Sequence, residues 1–224
     1  MLELKTMVTG NKDRNSSGVT LVELMIAAAL LVVALGTIYT VAQATFASAA
    51  YHDAELAAQD EARGALQRMT TELRQARRSS LAMQTIPNDT LTFQIPEDAD
   101  GNGFPLDVGG YLESAGTITY TRDMNDLNAD GLTTTQLVRV YQGGGGIAPI
   151  VTVLANDIAP NEDANWDGSL NPGEDLNGSR MLERGIWFES NGPLMRIIVD
   201  CQKTVGAGGR RVWATVATNV SHRN

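Results

Sequence analysis

Leu24 to Ala42 reads LMIAAALLVVALGTIYTVA, nineteen residues without a formal charge. At ~1.5 Å per residue, a helix of that length nearly crosses a ~30 Å hydrocarbon core. Between Asn15 and Tyr51 the single formally charged residue is Glu23, at the entrance to the run. Upstream lies a short polar leader with Lys5, Lys12 and Arg14, which favours keeping that end cytoplasmic. No second apolar span follows, so the reading is bitopic: N-terminus in, and His52 to Asn224 across the membrane. Three uses of the segment compete. A secretory signal would be cut near Ala47-Ser48-Ala49. A plain anchor needs no cut. Neither explains Glu23, because a carboxylate at the edge of a spanning helix is costly without a partner and reads by default as functional.

Composition narrows what the rest can do. Hydrophobic residues make up 43% and charged residues 19%, a globular composition for one domain plus an appendage. Lys+Arg is 17 against Asp+Glu 26, net −9, so the acidic head repels phosphate backbones and nucleic acid is not an expected partner. One cysteine, Cys201, leaves no internal disulfide framework or Cys-rich zinc site, and its apolar neighbours predict a buried small residue. Two histidines, His52 and His222, leave little for a His-based triad. Gly-x-x-x-x-Gly-Lys, Gly-x-Ser-x-Gly and His-Glu-x-x-His do not occur. The expectation is a protein that is not an enzyme.

Ser17-Gly18-Val19-Thr20-Leu21-Val22-Glu23-Leu24-Met25-Ile26-Ala27 resembles the type IV prepilin signal: a Gly, then an apolar-Thr-Leu-apolar-Glu run opening a hydrophobic helix. The resemblance implies that a membrane prepilin peptidase cuts between Gly18 and Val19 and methylates the new amine of Val19. Glu23 then becomes the fifth mature residue. Val19 departs from the usual Phe at the first mature position but keeps an apolar side chain. Physically, the freed amine of one subunit would pair with Glu23 of a neighbour inside an apolar filament core. Such a buried pair sets register more than it adds stability, since either charge alone is left costly. Other pilin or pseudopilin subunits, an inner-membrane assembly platform and membrane lipid are the further partners implied. The implied location is the inner membrane, single-pass, head in the periplasm, and later a pilus or pseudopilus.

The helix is predicted to continue from Thr20 to about Arg78, with no proline in between. Beyond Tyr51, Ala58, Ala62, Leu66, Met69, Leu73 and Ala76 recur at three- and four-residue steps. Glu55, Asp60, Arg63, Gln67, Glu72, Arg74 and Arg77 fill the polar side, acids before bases as the helix dipole prefers. Seven short β-rich runs follow: Thr90–Ile95, Thr117–Arg122, Gln136–Gln142, Ile147–Leu154, Gly185–Glu189, Leu194–Asp200 and Arg211–Thr218. Gly143–Gly146, Asn191-Gly192 and Gly206–Gly209 are the predicted hairpin turns. Trp187, Phe188 and Trp213 are expected in the core. The fold class is α+β and pilin-like: a long N-terminal helix on an antiparallel β-sheet head with long acidic loops. The organisation is leader 1–18, membrane or filament-core helix 19–50, amphipathic helix 51–80, and β-rich head 81–224 with an insertion at about 160–180. The helix end from Leu66 to Arg78 and the strand order are similar in outline to PilW-like minor pilins and to J-type secretion pseudopilins.

The insertion carries its own signal. Asp163, Asn165, Asp167, Gly168, Ser169, Asn171 and Glu174 occupy the positions of a twelve-residue calcium loop. Hard cations need several oxygens around one point. Here Asp163, Asn165 and Asp167 offer side chains, Ser169 its carbonyl, Asn171 a direct or water-borne contact, and Glu174 a bidentate closure. Pro160 and Pro172 exclude paired EF helices, so a lone structural calcium loop is expected. The competing reading is an acidic turn-rich surface loop. Asp126–Gly131 and Asp98–Gly103 are partial copies without the closing carboxylate, and are expected to be tight polar turns.

These observations predict a minor pilin of a type IV pilus that helps to initiate assembly or caps the filament. The alternatives are a pseudopilin of a type II secretion system and a calcium-dependent adhesin on a pilin-like anchor.

Overall fold

A computed structural model of the chain describes residues 19–76, 89–98, 102–106, 108–109, 113, 115–143, 148–163, 169–174, 182–191, 194–206 and 209–221. The expected leader 1–18, the helix exit at 77–88 and the middle of the calcium-like loop lie outside that set. The chain forms two compact units, Met1–Ser48 and Ala49–Asn224.

One α-helix, α1, runs Leu21–Leu73, and a turn to Ala76 follows it. Its residues in the first unit present apolar side chains on every side; Leu24, Leu31, Val33 and Ile38 are all exposed. A helix apolar all round suits hydrocarbon rather than water. The hydroxyls on this stretch are silenced locally. Thr37 donates to the Ala34 carbonyl at 2.8 Å, Thr40 to Thr37 at 2.8 Å, and Thr45 to Val41 at 2.9 Å. No bare hydroxyl is therefore carried into lipid at those positions.

In the second unit, Ala58, Ala62, Ala65, Leu66, Met69, Leu73 and Ala76 are buried, as the spacing predicts, and they share one core with the strands. Small alanines let the helix backbone approach the sheet, while Leu66, Met69 and Leu73 each contribute about 1.5–3 kcal/mol by burial.

Seven strands follow in the predicted order: β1 Leu91–Pro96, β2 Ala115–Arg122, β3 Leu137–Gln142, β4 Ile150–Ala155, β5 Ile186–Asn191, β6 Leu194–Val205 and β7 Arg210–Ser221. Instead of one sheet there are two antiparallel ones, β1-β2-β3-β4 and β5-β6-β7. The hairpin β6–β7 is longer at both ends than the apolar runs suggest, with twelve-residue strands paired throughout. Gly206 and Gly209 close it at φ 66° and 64°, where side chains are disfavoured.

Residues 157–159 join the sheets. Ile158 bridges Cys201, Ala159 N–H donates to the Asp200 carbonyl at 2.8 Å, and Gln202 N–H donates to the Asp157 carbonyl at 2.7 Å. Arg122 reaches across from β2 to the Ala159 carbonyl at 2.5 Å and the Thr134 carbonyl at 2.9 Å. Gly185 makes this crossing possible. Its φ is 65°, and a Cβ there would run into the Arg122 guanidinium and the Ala159 carbonyl.

Two expectations change. Phe188 is buried in the core cluster, Trp187 is buried but outside that cluster, and Trp213 is only half-buried and also outside it. Glu72 belongs to no solvated face: it accepts from Tyr120 Oη at 2.5 Å and from Arg139 Nε at 2.8 Å, tying the helix to β2 and β3.

Candidate functional site

Thr20 immediately precedes α1, and its backbone carbonyl accepts the N–H of Leu24 at 3.1 Å. Its hydroxyl oxygen accepts the Glu23 N–H at 3.2 Å. In return, Glu23 Oε2 accepts the Thr20 N–H at 2.9 Å and the Thr20 hydroxyl at 3.0 Å. This is a capping box, in which two side chains at a helix start each accept the other residue's otherwise orphaned backbone N–H. The signal was in plain sequence as Thr-x-x-Glu, and reading Glu23 only as a lone anion missed it. The cap lowers the cost of carrying this carboxylate at the entrance to an apolar helix, and the positive end of the helix dipole lowers it further. Both intrachain bonds use Oε2. Among the described residues no cation pairs with Glu23, so the carboxylate retains acceptor capacity. Val19, one residue before the cap, is exposed at 74%. Gly18 lies outside the described residues. The site thus presents an exposed apolar residue and a pre-oriented carboxylate one turn apart.

The predicted cation loop is only partly visible. Asp163 is fully buried, and its Oδ2 lies 3.4 Å from Arg184 Nε. Glu174 accepts the Asn171 N–H at 2.8 Å, closing the turn 171–174 from within. Asn171 Nδ2 reaches the Ser169 carbonyl at 3.4 Å. Asn165, Asp167 and Gly168 are outside the described residues. Asp163 is therefore ion-paired and Glu174 hydrogen-bonded within the chain. Among the described residues no group of three or more His, Cys, Asp or Glu could hold a metal.

The partial copy Asp126–Gly131 folds as a tight polar turn, while residues 99–101 of the other lie outside the described residues. Asp126 accepts the Gly131 N–H at 3.1 Å, and Asp98 accepts the Gly103 N–H at 2.7 Å. In both, the fifth residue accepts from the seventh: Asp130 from Leu132 at 2.8 Å, Asn102 from Phe104 at 2.8 Å. Gln136 Nε2 donates to Asp130 at 2.8 Å, and this bond leads the contacts that hold the Asp130 carboxyl below its ordinary value.

Burial pushes the Cys201 thiol up to about 12, helped by the charge of Glu61, so it is an inert core residue.

Residues 13–39 match the family described as the prokaryotic N-terminal methylation motif. That span takes in Gly18, Val19, Thr20 and Glu23 together with the apolar first part of α1. No curated protein and no solved structure matches the chain. At its N-terminus the chain is therefore type IV prepilin-like. The motif belongs to structural proteins and bears on no catalysis. By length and composition α1 is also able to cross a membrane, which fits an anchored protein.

Proposed function

We propose, from this type IV prepilin-like N-terminus, that the chain is a minor pilin: cut after Gly18, methylated on Val19, and drawn into a type IV pilus, where it starts or caps the fibre. One observation carries the reading. Within the helical part of the matched motif, Leu21 to Tyr39, Glu23 is the single carboxylate, and it stands capped and pre-oriented at the head of a stretch that is otherwise uncharged and exposed. In lipid that helix is an anchor, with the head in the periplasm. In a filament it is the core, and Glu23 meets the methylated amine of an adjoining subunit. The pseudopilin of a type II secretion system has the same N-terminal chemistry and is the second reading.

Deleting the chain from its own cell separates the two. Loss of surface filaments with normal export supports the pilus; intact filaments with exported enzymes held in the periplasm supports the pseudopilus. A chain that is dispensable for both contradicts either role.

A calcium ion held by Asp163, Asn165, Asp167, Ser169, Asn171 and Glu174 is proposed as a structural staple of the head. What supports it is the twelve-residue register, together with the related run Asp126–Gly131, where Asp126 accepts the Gly131 N–H as the first half of such a loop requires. An adhesin reading adds that chelation would abolish attachment while filament number stays normal.

A further inference from the structure

β7 is an edge. It pairs with β6 along its whole length and, among the described residues, with nothing on its other side. A twelve-residue edge strand presents a row of open backbone donors and acceptors, a template that proteins normally shorten or cover. Beside it runs a groove whose helix wall is made by Arg63, Gln67, Thr70 and Arg74 and whose strand wall includes Val216 and Thr218. A second hollow, lined by Glu189 and Arg196, also reaches Ala217 and Thr218, so the strand is approachable there from more than one hollow.

The groove has a charge pattern as well as a shape. Arg63 and Arg74 mark its ends, three helical turns or ~16.5 Å apart. That distance is about five residues of extended chain at ~3.4 Å each. Arg74 is exposed and makes no ion pair among the described residues. Arg63 donates to Gln59 Oε1 at 3.4 Å and has a loose contact with Asp60 at 3.8 Å, the Arg63 and Asp60 side chains both more than half exposed. Between them lie Gln67, Thr70 and Thr71, polar and uncharged. Two guanidinium groups at the ends of an uncharged trough beside an open strand call for an extended ligand with carboxylates about five residues apart.

We propose that this groove takes an extended acidic segment of another polypeptide, added as a fourth strand on β7, its carboxylates set against Arg63 and Arg74. Backbone pairing supplies affinity, and the two arginines choose charge and register. The inference stands on the head alone and does not depend on the filament reading.

The test uses the detergent-solubilised full-length chain and a fluorescein-labelled alternating valine–threonine peptide with an aspartate at each end. Its counterpart carries lysines instead. Anisotropy is expected to show the acidic peptide binding roughly tenfold tighter, as two exposed charge pairs warrant. R63E/R74E removes that preference, R63K/R74K keeps most of it, and amide exchange slows at Val216 to Thr218 when the acidic peptide binds. Equal binding of both peptides overturns the proposal. So does full acidic-peptide binding by an R63E/R74E chain with an unchanged circular dichroism spectrum, or protection at the edges β1, β4 or β5 instead. Self-association lost in R63E/R74E, with no peptide binding by the parent, also overturns it and assigns the groove to a second copy.

Discussion

Glu23 caps α1, and in the proposed function its charge also meets a neighbouring subunit's amine; substitution can separate the two. Glutamine keeps an oxygen to accept the Thr20 N–H, so Glu23→Gln preserves the cap but removes the charge. Alanine removes both, and the lost cap costs about 1 kcal/mol of helix start. Both variants are expected to insert and fold, and both to lower incorporation into filaments about tenfold, measured in sheared fractions against the membrane pool. Equal incorporation of Glu23→Gln and parent would mean that the cap, and not the charge, is what matters. Glu72 is the corresponding residue of the head. Burial alone would raise its carboxyl, but hydrogen bonds from Arg139 and Tyr120 and the charge of Arg139 outweigh it and hold the value below the ordinary one. A carboxyl lower in the folded state contributes stability above its unfolded value, ~4.3, and that contribution is lost as pH falls through the folded value. Glu72→Gln is therefore expected to cost about 2–3 kcal/mol at neutral pH and to flatten the acid limb of stability, read by thermal melts between neutral and strongly acidic buffer. An unchanged acid limb would show that other carboxylates set it.

Among the elements, the helix and all seven strands were legible because each rests on local pattern: core residues at three- and four-residue steps in Ala58 to Ala76, and β-branched runs bounded by glycine. The split into two sheets was not. Which strand edge meets which is decided by contacts far apart in sequence, such as Ile158 against Cys201 and Arg122 against Ala159. Glu61 and Glu72 were illegible for a related reason. They flank the buried stripe, and pattern alone cannot tell a solvated flank from one that meets Lys203 at 2.8 Å or Arg139 at 2.8 Å. Trp213 misled because its size suggests the core while its place in β7 leaves it half-buried. The capping box was legible in Thr20 and Glu23, whereas the cation loop depended on Asn165 and Asp167, which lie outside the described residues. The sheet junction offers a sharp test. Gly185→Ala places a methyl against the Arg122 guanidinium and the Ala159 carbonyl at a positive φ, and is expected to destabilise the head by about 2–4 kcal/mol in denaturant melts. Gly36→Ala, which meets nothing within 4 Å in the isolated chain, is the neutral control.

At the scale of the whole molecule, the acidic head and the apolar helix make separate claims. For the head, calcium in millimolar excess is expected to raise the melting temperature by a few degrees, and Asp167→Asn or Glu174→Gln to abolish that rise; magnesium, which prefers a stricter octahedral shell, should give little. Identical melts with calcium and with chelator would remove calcium from the account. For the helix, everything turns on one processing event that creates the amine Glu23 is positioned to meet. The intact mass of the chain extracted from its native membrane reads that event directly. The account predicts a chain that begins at Val19 and carries one added methyl group; a chain that begins at Ala50, or one that still holds its first eighteen residues, would contradict it.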